Sequence, residues 1–403
     1  MYRFYDFFAG AGLVNLGLKE SWTCSWANDI DPKKAEVYRS NFGGERFELG
    51  DVACVQSASL PPGVDLAWAS FPCQDLSLAG WRRGMSAERS GAFWPFWRLM
   101  RDLFDHGDRP PIIVIENVVG LLYGENFNGL CEALAALGMQ FGGIVIDARR
   151  FLPQSRPRVF IVSVDARVDC GAFTSAGPSL SPWFPNSLLS AVARLPETPR
   201  SSWRWWKLPV PSTAVADVAE LIEDDPTGVA WHSPAETQRL LRMMNATNLE
   251  KVNAEKERGG RSVGFLYKRI RDDKQRAEVR FDGVAGCLRT PNGGSSRQTV
   301  VIVEQNVVRS RLLSPRETAR LMGAPDSYKL PAKYNDAYRA MGDGVAVPAV
   351  AWLSKQLLVP LAKACRSAEH GIRGNFQPEA TGRLHSLRRM TEARAAEWEQ
   401  PIS

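Results

Sequence analysis

The 403-residue chain has no run of about 20 continuous apolar residues, the length a membrane span needs. No internal repeat is visible. Its seven cysteines are scattered and odd in number, and none has CxxC or CxxH spacing. Neither a disulfide framework nor a zinc site is therefore indicated, no metal is expected, and a reducing cytoplasm fits. The first residues, Met1-Tyr2-Arg3-Phe4-Tyr5-Asp6, read as the start of a strand rather than as a signal peptide. What is present is ordinary for a globular protein: 44% apolar and 23% charged residues. A formal net charge of +6 and a pI near 9.0 favour a polyanionic partner only modestly.

Strands and helices alternate through the first half. Phe4 to Phe8 reads as a strand, followed by a glycine-rich turn and a helix through Leu18. Thr23 to Ala27 is a second strand and Pro32 to Asn41 a second helix. Asp65–Ser70 and Ile112–Ile115 are apolar enough to be buried strands, and Phe93 to Phe104 has helical apolar spacing. Gly143 to Asp147 and Val159 to Val164 look like two further strands. This alternation predicts an α/β fold with a doubly wound, mostly parallel sheet. Prolines and tryptophans (Trp203-Arg204-Trp205-Trp206) punctuate the chain after about residue 180, and lysine and arginine crowd Lys251 to Arg280. We read residues 1–185 as a first domain and 186–335 as a second, smaller and irregular one. A return to the first domain spans 336–365, followed by a polar tail over 366–403.

Chemistry is concentrated at the strand exits. Asp6-Phe7-Phe8-Ala9-Gly10-Ala11-Gly12 places a Gly-x-Gly turn after a strand, which either lets a ligand approach the backbone or is a plain tight turn. Asn28-Asp29-Ile30-Asp31 offers an acid for ribose hydroxyls or, equally, a helix cap. Gly50-Asp51-Val52 adds a third polar group to this rim. Ser70-Phe71-Pro72-Cys73-Gln74 sets a thiol on a turn after an apolar strand, a poor place for burial, although a lone cysteine is usually inert core. Glu116-Asn117-Val118 ends another strand; an acid there is usually solvated, but a carboxyl buried beside Asn117 can give a proton to a ring nitrogen. Gln154-Ser155-Arg156-Pro157-Arg158 puts two arginines on one face of extended chain, otherwise a solvated edge. In a parallel sheet, thiol and carboxylate would share the crevice at the strands' carboxyl ends, an arrangement suited to attack at C6 of cytosine.

Together these runs resemble the cytosine-C5 DNA methyltransferase family. They occur in family order from Asp6 to about Arg158, and resume with Leu313-Ser314-Pro315-Arg316-Glu317, Leu321-Met322-Gly323 and Gly342-Asp343-Gly344-Val345. The resemblance implies a Rossmann-like methyltransferase with a target-recognition domain, acting on double-stranded DNA with S-adenosylmethionine as cofactor. Phe8, Gly10, Gly12, Asp29, Ile30, Asp51 and Pro72 would form the cofactor pocket. Cys73 would be the nucleophile, Glu116 the proton donor at N3, and Arg158 a contact to the ring carbonyl. Arg156 would support the catalytic loop, which would run from Pro72 to about Phe93. Gln74, Arg258, Arg261 and Arg269 would contact DNA. Trp203, Trp205, Lys268 and Arg271 are further candidates, the tryptophans being equally readable as a small core. Asp343-Gly344 stands where relatives often have Asn-Ser, which puts cofactor contacts there in question.

Three rivals share part of this pattern. A tRNA cytosine methyltransferase would have the same Pro-Cys and Glu-Asn-Val runs, but the long middle domain suits DNA. A nicotinamide-dependent oxidoreductase would leave Cys73, Glu116 and Arg158 unexplained. A catalytically dead DNA-binding regulator would not need Cys73 and Glu116. A cytoplasmic monomer is expected, with a restriction endonuclease or another phage-defence system as candidate companion.

Overall fold

In the computed structural model the described residues are 1–72, 91–212, 215–271, 274–288 and 297–374. A seven-stranded sheet organises the first half: β1 (Tyr2–Phe7), β2 (Trp22–Asp29), β3 (Phe47–Leu49), β4 (Leu66–Ala69), β5 (Ile112–Val118), β6 (Met139–Asp147) and β7 (Pro157–Asp165). Their order is β3-β2-β1-β4-β5-β7-β6. The first five run parallel, as the alternation of strands and helices predicts. β4 and the first four residues of β5 are fully buried, because helices cover both faces of such a sheet. β7 departs from the expected direction and runs antiparallel to both β5 and β6. The reason is the connection: residues 148–156 are too few for a helical crossover, so the chain turns back as a hairpin.

Helices α1 (Leu13–Leu18), α2 (Pro32–Phe42), α3 (Phe93–Asp105) and α4 (Asn126–Ala136) connect the strands. α2 starts where Asp31 accepts the backbone N–H groups of Lys33 and Lys34, with Pro32 at the first helical position. α3 buries Phe93, Trp94, Phe96, Leu99, Met100 and Leu103, the face its spacing predicts. The strand order reverses between β1 and β4, so their carboxyl ends flank a crevice.

The boundary set at 186 from composition does not follow the contacts. The short strands β8 (Thr174–Ser175) and β9 (Trp205–Trp206), with α5 (Asn186–Ala193) and α6 (Glu197–Ser201), pack on the β6 edge of the large sheet. The Phe141 N–H donates to Ser202 O (3.0 Å), Arg204 N–H to Phe141 O (2.7 Å), and Trp206 Nε1 to Gly142 O (3.0 Å). Gly142 is demanded here: a Cβ would lie 2.0 Å from the Arg204 carbonyl oxygen. Trp203 is buried edge-on to Phe127 and Phe141, and Trp205 packs on Phe184. Neither tryptophan is placed as a DNA contact; both belong to the apolar seam along β6.

A second sheet forms the middle domain. α7 (Val218–Leu221), α8 (Pro234–Arg242) and α9 (Ala246–Arg258) precede β10 (Arg261–Arg271), β11 (Lys274–Arg280), β12 (Thr299–Glu304) and β13 (Val307–Leu312). The four strands are antiparallel in the order β11-β10-β12-β13. Leu240, Leu241 and Val252 of the helices, with Met244 between them, close over Leu266, Ala277, Val279, Val301 and Val303.

The chain then returns to the first sheet earlier than residue 336. α10 (Pro315–Leu321) receives the Gln154 Nε2–H at Leu321 O (2.6 Å), and Tyr328 donates its hydroxyl to Ala11 O. α11 (Tyr334–Gly342) is tied to α2 through Lys33–Asp336 (2.8 Å), and α12 (Val347–Leu353) packs on α1. Contacts divide the chain into Met1–Ala362 and Lys363–Ser403; α13 (Val359–Gly374) carries the second unit as far as it is described. The run Tyr334–Ala368 holds a window long and apolar enough for a membrane span, but 61% of that window is buried inside the protein.

Candidate active site

The glycine turn, the ends of β2 and β3, and the exits of β4 and β5 meet at the crevice. Phe8, Gly10 and Gly12 all have positive φ (57°, 57° and 81°), so the chain leaves β1 through a left-handed turn. The two glycines serve different ends. A Cβ on Gly12 would strike Phe42 at 2.4 Å and Tyr38 at 2.9 Å, so that residue is small for packing. A Cβ on Gly10 would meet nothing within 4 Å, which leaves backbone open to a ligand.

Asp29 accepts Gly10 N–H at Oδ2 and Asp31 N–H at Oδ1, both at 2.8 Å. The helix-cap role that competed for Asp29 falls to Asp31 instead. Ile30, 66% exposed, projects from the same strand end. Asp51 uses Oδ1 to accept Ala53 N–H (2.9 Å) and is exposed. Asn28 was missed: its Nδ2 donates to Glu48 O (3.1 Å) and Gly50 O (2.9 Å), which fastens the Asp51 turn to β2. Asp6 lies beneath the turn, fully buried, and neither carboxyl oxygen has a hydrogen-bond partner among the described residues. Burial first, and then the nearby charge of Asp29, raise its pKa well above the usual carboxylate range.

On the other side of the crevice Glu116 lies inside β5 rather than beyond its end, opposite Phe160 of β7. It is 7% exposed, and its Oε1 is 3.2 Å from Arg158 Nε. The antiparallel β7 makes this pair possible, since it brings Arg158 back beside Val118. Asn117 donates from Nδ2 to Phe71 O (3.0 Å), fastening the chain just before Pro72 to β5. Phe71 in turn packs against Phe8 and Phe93, with ring centroids 6.1 and 5.5 Å apart. Pro72 is exposed at the rim. Cys73 and Gln74, and the expected catalytic loop as far as residue 90, lie outside the described residues. Three buried thiols elsewhere are poor nucleophiles: burial pushes Cys24 up to about 12, Cys170 up to about 11, and Cys131 well above its ordinary value.

Arg156 makes its described hydrogen bonds to distant backbone carbonyls and a thiol. It is buried, donating from Nη1 to Leu288 O (3.0 Å) and Cys287 Sγ (3.2 Å), and from Nη2 to Gly342 O (2.8 Å) and Gly344 O (2.6 Å). Burial, and then repulsion from Arg158, lower its pKa to about 10. Its described partners are the base of the second domain and the Gly342–Gly344 turn; the catalytic loop it was expected to support lies outside the described residues. The Asp343-Gly344 departure also has a local reason. Asp343 pairs with Lys34 of α2 at 2.8 Å, and a Cβ on Gly344 would lie 2.5 Å from Leu13 Cδ1.

The expected DNA contacts are not one patch. Arg258 pairs with Glu255 (3.0 Å) and Arg261 with Asp224, both at the base of the second sheet. Arg269 is eight residues further along β10, roughly 26 Å away at strand rise, beside Glu278 and over the Tyr267 ring. Among the described residues no group of three or more His, Cys, Asp or Glu side chains could hold a metal ion.

An open sheet in which β7 alone reverses direction, with a glycine turn and acids at its switch point, defines a Rossmann-like methyltransferase. Residues 2–358 match the family described as C-5 cytosine-specific DNA methylase, and the chain belongs to that family; it is a DNA (cytosine-5-)-methyltransferase. It is 25% identical to the Type II methyltransferase M.NlaX of Neisseria lactamica over 378 residues, covering 90% of this chain and 98% of that one. It is 26% identical to the Type II methyltransferase M.HhaI of Haemophilus parahaemolyticus over 358 residues, 87% of this chain and 93% of that one. The fold is shared with the solved methyltransferase EhMeth of Entamoeba histolytica, at a TM-score of 0.58 and 14% identity, covering 90% of this chain and 99% of that one.

Proposed function

We propose that this enzyme methylates C5 of a flipped-out cytosine within one specific double-stranded DNA sequence, through a covalent Cys73–C6 adduct. The observation that carries this reading is the buried Glu116–Arg158 pair beside Asn117, which holds the chain two residues before Cys73. A pyrimidine placed against that pair would present N3 to the Glu116 carboxyl and its ring carbonyl to Arg158. The thiolate of Cys73 then adds to C6, and the displaced electron pair moves to N3, where Glu116 delivers a proton. This leaves C5 electron-rich. C5 would take the methyl group from the bound sulfonium donor, whose sulfur keeps the electron pair of the broken S–CH3 bond. A base then removes the C5 proton, the thiolate leaves C6, and N3 returns its proton to Glu116. A base stacked in a duplex cannot reach these groups, so the cytosine must leave the helix at a cost of a few kcal/mol.

The rim fits S-adenosylmethionine, which when bound supplies a methyl group activated by a sulfonium. Gly10 offers open backbone, Ile30 an exposed apolar side chain for the adenine, and Asp51 an exposed carboxylate for the adenine edge. Asp29 retains acceptor capacity for the ribose while holding Gly10. Asp29→Ala is expected to weaken S-adenosylmethionine binding at least tenfold, about 1.4 kcal/mol, through both losses. DNA affinity should change much less. Unchanged affinity by calorimetry would place the pocket elsewhere.

The Type II names of the relatives support a short recognition sequence and a restriction endonuclease or another defence system as companion. A cytoplasmic monomer fits this role. The test is labelled S-adenosylmethionine offered with duplex DNA, with tRNA, or with no acceptor, followed by bisulfite sequencing of DNA from expressing cells. Label in DNA and one methylated sequence are expected. Label in tRNA alone would overturn the DNA assignment.

A further inference from the structure

The second sheet does not end where its core ends. Along β10 and β11 the residues Leu266, Ala277 and Val279 are buried beneath α8 and α9. Beyond them the two strands continue as a free ribbon. Lys268 is half-buried, Arg269 is exposed, and Ile270 is 71% exposed; on β11, Lys274 and Gln275 are exposed and Arg276 is half-buried. An isoleucine this bare at the far end of a strand has no role in the core.

The register sorts the ribbon into two faces. Arg269 stands directly opposite Arg276, and Ile270 opposite Gln275. Successive residues point to opposite faces, so the arginine rung and the Ile270–Gln275 rung face opposite ways. Like charges directly opposite one another destabilise an antiparallel pair. Arg269 is partly relieved by Glu278 at 3.7 Å, but Arg276 has no ion pair among the described residues. The rung thus gains from an external anion. A two-stranded ribbon also matches the width of the DNA major groove, which admits such an element.

We propose that the distal β10–β11 ribbon lies in the major groove of the target duplex, with Ile270 and Gln275 against base edges and Arg269 and Arg276 reaching phosphates. The proposal rests on the DNA reading above and deepens it by assigning where sequence is read. Gln275 carries the amide donor and acceptor that can pair with an adenine edge, and Ile270 the apolar surface that fits a base methyl group. Arg258 and Arg261, held by Glu255 and Asp224 at the other end of the sheet, are not part of this surface.

The experiment compares the wild-type enzyme with Ile270→Ala, Gln275→Ala and Arg276→Ala. Arg239→Ala serves as a control that removes one exposed charge from α8. Methylation is measured on the cognate duplex and on duplexes altered at one position, and binding at several salt concentrations. The base-edge variants should lose at least tenfold in kcat/KM on the cognate duplex and relax preference at one position. Arg276→Ala should weaken all duplexes alike and lower the salt slope by about one, whereas Arg239→Ala should leave the slope unchanged. Cofactor affinity should match wild type throughout, and no variant should melt lower than wild type, since the side chains replaced lie outside the core. If the wild type methylates DNA but the ribbon variants keep its site preference and salt slope, the ribbon assignment is wrong. A wild type that transfers no methyl group to DNA would instead overturn the reading beneath it.

Discussion

Cys73→Ser should fold, bind S-adenosylmethionine as the wild type does, and lose methyl transfer by on the order of 10³-fold or more, as expected for removing a covalent nucleophile. A thiol of ordinary pKa is already a few per cent thiolate near neutral pH, whereas a serine hydroxyl at the same place is almost wholly neutral. The loss can be assigned to the adduct rather than to geometry with a duplex carrying 5-fluorocytosine at the target. Fluorine cannot leave C5 as a proton does, so the Cys73–C6 bond should persist and survive denaturing electrophoresis. Its accumulation should require S-adenosylmethionine. Glu116→Gln should slow trapping, because an amide cannot deliver a proton to N3, and Cys73→Ser should abolish it. Equal trapping by the serine variant would defeat the mechanism, as would an enzyme that methylates natural DNA yet never traps.

The largest expected effect on stability lies at the junction between the two sheets. Arg311, the penultimate residue of β13, and Glu317 of α10 form a bidentate pair at 2.6 and 2.7 Å, with both side chains fully buried. Glu317 also accepts the N–H groups of Ser314 (2.7 Å) and Glu223 (2.8 Å), and Arg311 donates to Glu223 O (2.6 Å). Arg311→Met would leave a carboxylate in the interior with its counter-charge gone. Breaking a buried pair from one side costs about 3–5 kcal/mol, and replacing both partners with apolar residues costs far less. Urea denaturation should therefore show Arg311→Met strongly destabilised and Arg311→Met/Glu317→Leu less so. A double variant as unstable as the sum of its single losses would mean that the two charges act independently.

Much of the active side of the protein is legible in local pattern. The α2 and α3 spans, the apolar β4 and β5 and the left-handed glycine turn follow from periodicity and from residues with restricted or permissive backbones. Asp29 closes β2, Asp51 follows β3 and Pro72 follows β4, as the motif order suggests, whereas Glu116 stands inside β5 and Arg158 enters β7. Direction and partnership are another matter. Residues 148–156 signal only a connection, and it is the hairpin they form that reverses β7 and sets Arg158 against Glu116. Trp203 looks like a groove-reading aromatic until the β6 edge is seen to need cover, with Gly142 left bare to receive it.

What the sequence by itself determined is most elements of the first half, the chemistry at their ends and the family to which the chain belongs, because each depends on neighbours a few residues apart; the regular four-stranded sheet in the middle, read as irregular, was not among them. Tertiary structure alone decided that Arg156 binds carbonyls 132 to 188 residues away, that Asn117 holds Phe71, and that Arg311 and Glu317 meet in a dry interior. It also decided that β10 and β11 outrun their own core. A polar side chain's partner is set by which backbone groups burial leaves unsatisfied, and that is known only once the layers have packed.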